Sequence, residues 1–339
     1  MNHQIRTGVI GVGNIGQHHA RIYASLPGSQ LVGIADIHPG RAQEIADRYQ
    51  VSAHADYHTL LDQVEAVSVA APTTLHHEIG LACLARGVHV LMEKPLAASV
   101  QQGHELALLA EQSHLVLQVG HVERFNPTFV ELANVLADLK ILAVEARRLS
   151  PFATRAADVS VIYDLMVHDL DLILNLIPAP LRSVDATGSR IRSAQPDHAM
   201  ALLTFGGGQV ASLSASKVTQ HKVRQMAVTC AEAFVVADFL TRTVMVHRQS
   251  SANYFAQRAE VLYRQEGLIE QVYVPQIEPL YAELQHFLVC VREGRPPRVG
   301  SREAIRVMTV ADEIERRLLA SIDGRSDVGF DSAAPEFAP

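Results

Sequence analysis

A glycine-rich turn near the start of the chain has the spacing of a dinucleotide-binding motif. Residues 11–16 read Gly-Val-Gly-Asn-Ile-Gly, a G-x-G-x-x-G that follows an apolar run and opens a helical pattern. In that context the first glycine permits a tight turn, the second lets the backbone approach a pyrophosphate, and the third packs the helix against the strand. The helix N-terminus adds N–H donors and a positive dipole. The residues that we expect to contact a cofactor here are Gly11, Gly13, Asn14, Ile15 and Gly16.

An acidic residue follows at the distance that such a motif requires. Asp36 ends the next apolar run, 20 residues after Gly16. Its carboxylate would accept hydrogen bonds from the adenosine ribose and repel a 2′-phosphate. Ile37 occupies the place where an NADP site often has a basic residue, so the pattern favours NAD over NADP. Arg41 is near enough to keep NADP as the alternative.

A lysine, a histidine and an aspartate have the types and spacing for proton transfer. Lys94 lies just beyond the apolar run 89–92, at the end of a strand where ligands of parallel sheets bind. Its ammonium can stabilise an oxygen that becomes negative, and the His168 imidazole, with an ordinary pKa of about 6.5, suits proton exchange near neutrality. Asp164 precedes His168 by four residues, so it could orient the imidazole from the same helix face or pair with Lys94.

Composition and charge exclude several classes of protein. Of the 339 residues, 48% are apolar and 19% charged, as in a globular chain, and the net charge of −7 argues against nucleic acid as a partner. Neither a signal pattern nor an apolar run of about 20 residues is present, so we expect no membrane partner. Three dispersed cysteines fit neither a disulfide framework nor a zinc cluster, which predicts a cytoplasmic location. The adjacent histidine pairs at 18–19 and 76–77 do not share a helix face, so no metal is expected.

The elements that must position these residues divide the chain into two parts. Over the first 120 residues, short apolar runs alternate with helical patterns, which predicts a Rossmann domain with a parallel sheet. After residue 126, strand-like runs and later helices predict an α+β domain with a mostly antiparallel open sheet. At roughly 150 residues per domain the length suits two domains. We expect an NAD-binding domain over residues 1–123, a substrate-binding and oligomerisation domain over 124–325, and a flexible tail over 326–339.

Residues 93–95, Glu-Lys-Pro, together with the glycine motif and the pair Asp164 and His168, resemble the glucose–fructose oxidoreductase, inositol dehydrogenase and rhizopine-catabolism (Gfo/Idh/MocA) family. The resemblance covers nearly the whole chain and implies hydride transfer between nicotinamide and a sugar or polyol carbon. It also implies proton-transfer roles for Lys94, His168 and Asp164, with the base differing between members. An open C-terminal sheet commonly forms subunit interfaces in this family, which implies a homodimer or homotetramer.

The resemblance implies further cofactor contacts and contains two departures. Additional cofactor-binding residues would be Pro72, Thr73, His76, Glu93 and Lys94. Thr73 stands where the family often has Asn, so a hydroxyl replaces the amide. Tyr163 and Leu165 flank Asp164 where many members carry small glycines, which is compatible with a different sugar.

Three segments, at 120–127, 146–152 and 164–171, resemble the branch of UDP-N-acetylglucosamine 3-dehydrogenases. That branch oxidises the sugar 3-hydroxyl to a ketone, which we take as the expected reaction. The alternatives are a dehydrogenase of a free sugar, an inositol or another carbonyl compound, and a non-catalytic NAD-binding regulator.

A sugar nucleotide carries a diphosphate, so the second domain should offer guanidinium groups. Candidates are Arg124, Arg147, Arg148 and Arg155, although Arg124 could instead anchor the junction between the domains. The full set of predicted substrate-binding residues is Lys94, Glu123, Arg124, Asn126, Arg147, Arg155, Asp164 and His168.

Overall fold

The computed structural model describes residues 4–153, 158–249, 255–258, 261–264 and 267–324. The apolar runs of the first 120 residues form a six-stranded parallel sheet of order β3-β2-β1-β4-β5-β6. This is the Rossmann order, in which the crevice at the carboxyl ends of β1 and β4 is the place for a ligand. The strands are β1 (Ile5–Ile10), β2 (Ser29–Ala35), β3 (Ser52–His54), β4 (Ala66–Val69), β5 (His89–Glu93) and β6 (Leu117–Gly120).

Helices connect these strands and cover both faces of the sheet. Asp56 and Ser99 each cap a helix, because their side chains accept a backbone N–H of the first turn. The helices of this part are α1 (Gly16–Ser25), α2 (Pro39–Tyr49), α3 (Tyr57–Leu61), α4 (His76–Ala85) and α5 (Val100–Gln112).

A second sheet of eight strands has the order β16-β13-β12-β11-β7-β10-β9-β8. Its pairs are antiparallel except β7 with β10, so the predicted mostly antiparallel sheet is confirmed. Two further strands, β14 (Phe255–Arg258) and β15 (Val261–Arg264), pair separately. The eight strands are β7 (Ile141–Leu149), β8 (Leu181–Ser189), β9 (His198–Phe205), β10 (Val210–Ser216), β11 (Val223–Cys230), β12 (Ala233–Asp238), β13 (Thr243–Gln249) and β16 (Gly267–Val272).

The second part of the chain contributes the helices α6 (Pro127–Leu136), α7 (Val167–Leu176), α8 (Pro279–Glu293) and α9 (Ser301–Asp323). Asn126 caps α6 by accepting the N–H of Thr128, as its place before a proline predicts. The helix predicted over residues 162–176 starts with a π-helical turn, Ile162–Met166, and continues as α7.

The end of the chain returns to the first sheet. Leu284 and Phe287 of α8 share a core with β1 and α1, whereas α9 contributes Ile305 to the first sheet's core and Ile314 to the second. Helices α8 and α9, which lie within the predicted second domain, therefore also pack against the first sheet. None of the helices among the described residues combines the length and apolar character that a membrane crossing needs. The tail predicted over 326–339 lies outside the described residues.

Candidate active site

The glycine motif forms a cradle at the carboxyl end of β1. Gly11 has a φ of 83°, and a Cβ there would lie 2.8 Å from the backbone of Ala70. A Cβ on Gly16 would lie 1.8 Å from the carbonyl oxygen of Gly11, so α1 can approach β1 only with glycine. Around Gly13 a Cβ would meet nothing within 4 Å, and this residue lines a cavity of about 540 Å³. The open side of the turn therefore has room for a pyrophosphate.

Asp36 lines the same cavity beside the glycine turn. Its Oδ2 accepts the N–H of Val12 at 2.9 Å, and its Oδ1 accepts the N–H of His38 at 2.8 Å. A guanidinium nitrogen of Arg41 is 3.8 Å from Oδ2. The carboxylate is held against the turn that would carry the pyrophosphate, and a ribose 2′-phosphate placed there would meet a negative charge. This arrangement fits NAD.

The predicted cofactor residues after β4 lie in different surroundings. Pro72 lines the cavity, and Thr73 begins a short 3₁₀ turn, Thr73–Leu75, where it is partly exposed. His76 is buried, with Nδ1 2.8 Å from the carbonyl oxygen of Pro95 and Nε2 2.9 Å from that of Ala71. Its ring therefore braces the loop after β5 against the loop after β4.

Glu93 is tied to the first domain by both carboxylate oxygens. Nε2 of His19 lies 3.0 Å from Oε1, and the backbone N–H of Lys94 donates to Oε2 at 3.3 Å. Burial works to raise the pKa of Glu93, but the His19 hydrogen bond and the Lys94 charge together hold it below its usual value. A Cβ on Gly120 would lie 3.0 Å from this carboxyl group, so the glycine permits its close approach from β6.

Lys94 reaches from the first domain to the second. Its Nζ donates to the carbonyl oxygens of Tyr163, at 3.1 Å, and Asp164, at 3.2 Å, both in the π-helical turn. Burial lowers the pKa of Lys94, and the charges of Asp164 and Glu93 counter this only in part. The turn therefore fixes the ammonium at the carboxyl end of β5.

Two neutral histidines accompany this lysine. His121 follows β6 directly, and the pairing of Glu93 with Gly120 places it beside Lys94. Burial, followed by the Lys94 charge, lowers the pKa of His121 to about 3 and that of His168 well below 6.5. In the described part of the chain, Nδ1 of each ring is buried without a hydrogen-bond partner. His121 is a residue that the sequence reasoning missed, although its place after the strand next to β5 was a usable signal.

Asp164 does not hold the His168 imidazole, contrary to one expectation from their spacing. Its Oδ2 lies 3.9 Å from Nζ of Lys217, and the described residues include no hydrogen bond between Asp164 and His168. Asp164 lies in the π-helical turn Ile162–Met166, which departs from the regular α-helix on which that expectation rested. The expected pairing with Lys94 exists in another form, since the backbone carbonyl of Asp164 accepts from it.

Glu123 belongs to a buried ion cluster under the site. Its Oε1 accepts from a guanidinium nitrogen of Arg148 at 2.9 Å, and its Oε2 accepts from the amide of Asn126 at 2.8 Å. Arg148 also forms a two-nitrogen contact with Asp169, at 2.7 to 3.1 Å. These charges raise the pKa of Arg148 although burial opposes them. All three guanidinium nitrogens of Arg148 thus donate to protein carboxylates.

The other predicted arginines lie elsewhere. Arg124 is buried, 3.6 Å from Asp171 and bonded to the carbonyl of Arg298, so it anchors the junction, which was the alternative for it. Arg147 does not reach the site, because side chains alternate along β7 and its own is exposed on the face opposite Arg148. Arg155 lies outside the described residues.

No group of three or more His, Cys, Asp or Glu side chains that could hold a metal occurs in the described ranges.

Comparison with family models divides the chain in the same way as its two sheets. Residues 5–121 match the model described as the oxidoreductase family with an NAD-binding Rossmann fold (GFO/IDH/MocA), and residues 140–236 match the C-terminal domain of that family.

Individual relatives agree with the family models. The UDP-N-acetylglucosamine 3-dehydrogenase of Acidithiobacillus ferrooxidans is 34% identical over 91% of this chain and 96% of its own. A solved structure of it has a TM-score of 0.87 over 94% of this chain and 98% of that one, at 32% identity. The scyllo-inositol 2-dehydrogenase (NAD(+)) of Bacillus subtilis is 24% identical over 90% of this chain and 91% of its own. A levoglucosan dehydrogenase, solved with NADH and levoglucosan, shares the fold, with a TM-score of 0.80 over 94% of this chain and 98% of that one, at 19% identity.

Proposed function

The chain belongs to the GFO/IDH/MocA family of NAD-binding oxidoreductases, and on that premise we propose that it oxidises the 3-hydroxyl of UDP-N-acetylglucosamine to a ketone. The predicted family and the NAD-dependent oxidoreductase class are confirmed. The observation that carries the substrate proposal is the 34% identity over nearly the whole chain to a UDP-N-acetylglucosamine 3-dehydrogenase. The cluster of Lys94, His121 and His168 supplies groups suited to this chemistry.

The protein's part in the reaction is to move one proton and stabilise one negative oxygen. Bound NAD supplies the nicotinamide carbon that accepts the hydride from the carbinol carbon. We assign the base to His168, whose depressed pKa keeps it neutral and able to accept the hydroxyl proton. Lys94, held by the carbonyls of Tyr163 and Asp164, hydrogen-bonds the reacting oxygen as it becomes an alkoxide.

Burial favours the neutral form of both Lys94 and His168 by lowering the pKa of each. A second positive charge close to Lys94 is costly in a buried site, so an imidazolium at His168 passes its proton on readily. The alternative assignment makes neutral Lys94 the base, because burial lowers its pKa as well. The pH profile described in the Discussion distinguishes these two assignments.

The cofactor residues fit NAD in the Rossmann domain. The turn at Gly11 to Gly16 would hold the pyrophosphate, and Asp36 the adenosine ribose. Pro72 at the cavity and Thr73 beside it would contact the cofactor's far half. Glu93 accepts the backbone N–H of Lys94, and His76 contacts the carbonyl oxygen of Pro95, so both residues hold the loop that carries Lys94.

The experiment follows NADH absorbance on mixing the protein, NAD and UDP-N-acetylglucosamine. An aminotransferase that consumes the 3-keto product is added, because oxidation of an alcohol by NAD can be unfavourable at equilibrium. NADH formation that depends on the sugar nucleotide supports the proposal. Absence of NADH, with no sugar-dependent change in any cofactor that co-purifies, contradicts the substrate assignment.

A free sugar or inositol is the second candidate substrate, favoured by the similarity to the scyllo-inositol 2-dehydrogenase. Turnover of myo-inositol or glucose in the same assay, with none of UDP-N-acetylglucosamine, would select it. NAD binding without turnover of any sugar would select a non-catalytic regulator.

Assembly into a homodimer or homotetramer through the second sheet is part of the proposal. The outer face of that sheet exposes Met200, Leu202 and Phe234, which are 51%, 46% and 41% exposed. Light scattering on the purified protein tests the assembly. The cytoplasmic location stays a prediction.

A further inference from the structure

Three cationic side chains form a row across the ends of three neighbouring strands of the second sheet. Arg224 is the second residue of β11, Arg148 is the last but one of β7, and Lys217 directly follows β10. These strands are neighbours in the order β11-β7-β10, and the parallel pairing of β7 with β10 brings their carboxyl ends together. The antiparallel strand β11 begins at that same edge, where Arg224 pairs with Arg148.

Two cations of this row are engaged within the protein. Arg148, with its side chain only 3% exposed, is bound by Asp169 and Glu123. Lys217, 4% exposed, lies 3.9 Å from Asp164 and donates to the carbonyl oxygen of Val159. Neither side chain could bind a ligand without giving up contacts within the protein, which for Arg148 are buried ion pairs.

Arg224 differs from both. Its side chain is 40% exposed, and its contact with Oε1 of Glu123 is 3.7 Å long, beyond hydrogen-bond distance. That same oxygen already accepts from Arg148 at 2.9 Å. The guanidinium donates no hydrogen bond within the described ranges, so its N–H groups can bind a ligand without loss of an existing hydrogen bond.

An arginine at position 224 also destabilises the fold by charge repulsion. Like charges directly opposite each other on one face of an antiparallel pair are destabilising, and Arg224 faces Arg148 in this way. The only carboxylate that the described contacts give Arg224 is shared with Arg148. A neutral side chain would relieve the repulsion.

Arg224 faces the reaction site and not the outer surface of the sheet. Its side chain is on the same face of β11 as those of Met226 and Val228, which belong to the core, and its charge adds to burial and to the charges of Lys94, Arg148 and His121 in lowering the pKa of His168. The guanidinium therefore lies at the exposed side of the buried ion cluster, 3.7 Å from Oε1 of Glu123.

We propose that Arg224 binds the diphosphate of the sugar nucleotide and so selects it over a neutral sugar. Two parallel N–H···O bonds from a planar guanidinium fit phosphate oxygens. The assignment rests on the proposed function and sharpens it, since it replaces Arg147 as a phosphate contact. The uridine end of the substrate then extends away from Lys94 along β11.

The test measures UDP binding to the NAD-saturated protein by calorimetry, which requires no turnover. For Arg224→Gln we expect the Kd of UDP to rise about 10- to 100-fold, because a charge-assisted contact is lost. Arg224→Lys should recover part of the lost affinity. Uridine, which lacks phosphates, should bind equally to wild type and variant. The matched control is Arg182→Gln, an exposed arginine at the edge strand β8 of the same sheet, which should leave the Kd of UDP unchanged.

Two outcomes overturn the assignment: no binding of UDP to the wild type, or an equal Kd in Arg224→Gln and Arg182→Gln. Melting curves of each variant show whether it folds, and Arg224→Lys gives the answer if Arg224→Gln does not. The NADH assay reports separately on the proposed reaction. UDP binding that depends on Arg224 in a protein that does not turn over UDP-N-acetylglucosamine would retain the anion site and reject the reaction.

Discussion

The cofactor cradle and the cationic row of the second sheet bind charged groups by opposite means. The cradle uses backbone from a few consecutive residues, 11 to 16, and a carboxylate that is fixed by two backbone N–H groups. The row uses long side chains from three strands, and most of its charge is cancelled by Glu123, Asp164 and Asp169. Backbone N–H donors are held in place by the fold and need no counter-charge, whereas buried guanidinium groups require paired carboxylates.

This difference explains how a chain of net charge −7 can hold two diphosphates. In the cradle, the helix N-terminus supplies positive potential without a charged residue. In the row, Arg148 and Lys217 are buried against carboxylates, whereas Arg224 is 40% exposed and shares Glu123 with Arg148. Substitutions in the cradle should therefore weaken the binding of NAD, and substitutions in the row should weaken the binding of the sugar nucleotide.

The largest effect is expected where the two regions meet, at Lys94. Lys94→Met removes the ammonium that stabilises the alkoxide and should lower kcat by about 10³-fold. The Kd of NAD should stay within about twofold, since the cradle holds the cofactor by backbone contacts. Steady-state kinetics and calorimetry measure both. The control Lys140→Met, at an exposed position, should keep kcat, and a kcat near wild type in Lys94→Met would remove Lys94 from the chemistry.

Damage to the cradle comes next in size. Gly16→Ala places a Cβ 1.8 Å from the carbonyl oxygen of Gly11, so α1 must move away from β1. We expect the Kd of NAD to rise about 100-fold, or roughly 3 kcal/mol. Binding of UDP at the second domain should survive.

The control for this comparison is Gly40→Ala in the first turn of α2, where a Cβ meets nothing within 4 Å. It should bind NAD as the wild type does. Equal NAD affinities in the two variants would contradict the role of the close approach.

The pH dependence of kcat/KM tests whether Lys94 or His168 is the base. The pKa of His168 is depressed, so its neutral form persists well below pH 6.5. With His168 as base, kcat/KM for oxidation should be flat, within about twofold, between pH 6.5 and 8 and fall only at lower pH. A rate that instead climbs steadily from pH 7 to 9 would follow deprotonation of Lys94 and make it the base.

The smallest effect concerns stability where the two cores meet. Glu283 of α8 is fully buried, and neither of its carboxylate oxygens has a partner among the described residues. Burial first, and then Glu93 and Asp171, raise its pKa well above 4.5. Below pH 4.5 the carboxyl is protonated in folded and unfolded chains alike. As the pH rises above 4.5 the unfolded chain loses the proton first, so the wild type loses stability.

Glu283→Gln keeps the shape without this loss. At pH 8 we expect its free energy of unfolding to exceed that of the wild type by about 1 to 3 kcal/mol, with a smaller difference at pH 5. Urea denaturation at the two pH values measures this. Glu111→Gln, at an exposed position, should show no such pH-dependent gain, and a destabilised Glu283→Gln at pH 8 would mean that the carboxylate is charged in the fold.

The cradle and the parallel sheet could be predicted because their causes are local. The turn at Gly11, the helix start at Gly16 and the strand Ile5–Ile10 depend on residues that are close in sequence. Asp36 was found because the βαβ unit fixes its distance from the motif. The cap at Asn126 is equally local.

The composition of the substrate side depended on tertiary structure. Arg147 and Arg148 are neighbours in sequence with the same side chain, and only the pleat of β7 decides that one is exposed and the other buried. Asp164 contacts Lys217 and not His168, and strand order places Arg224 beside Arg148 and His121 beside Lys94. The sequence by itself determined the fold class, the cofactor cradle and the place of Lys94 at the end of β5, because short-range patterns encode them. Which charges face the ligand was decided by register and packing between residues far apart in the chain, which no local pattern encodes.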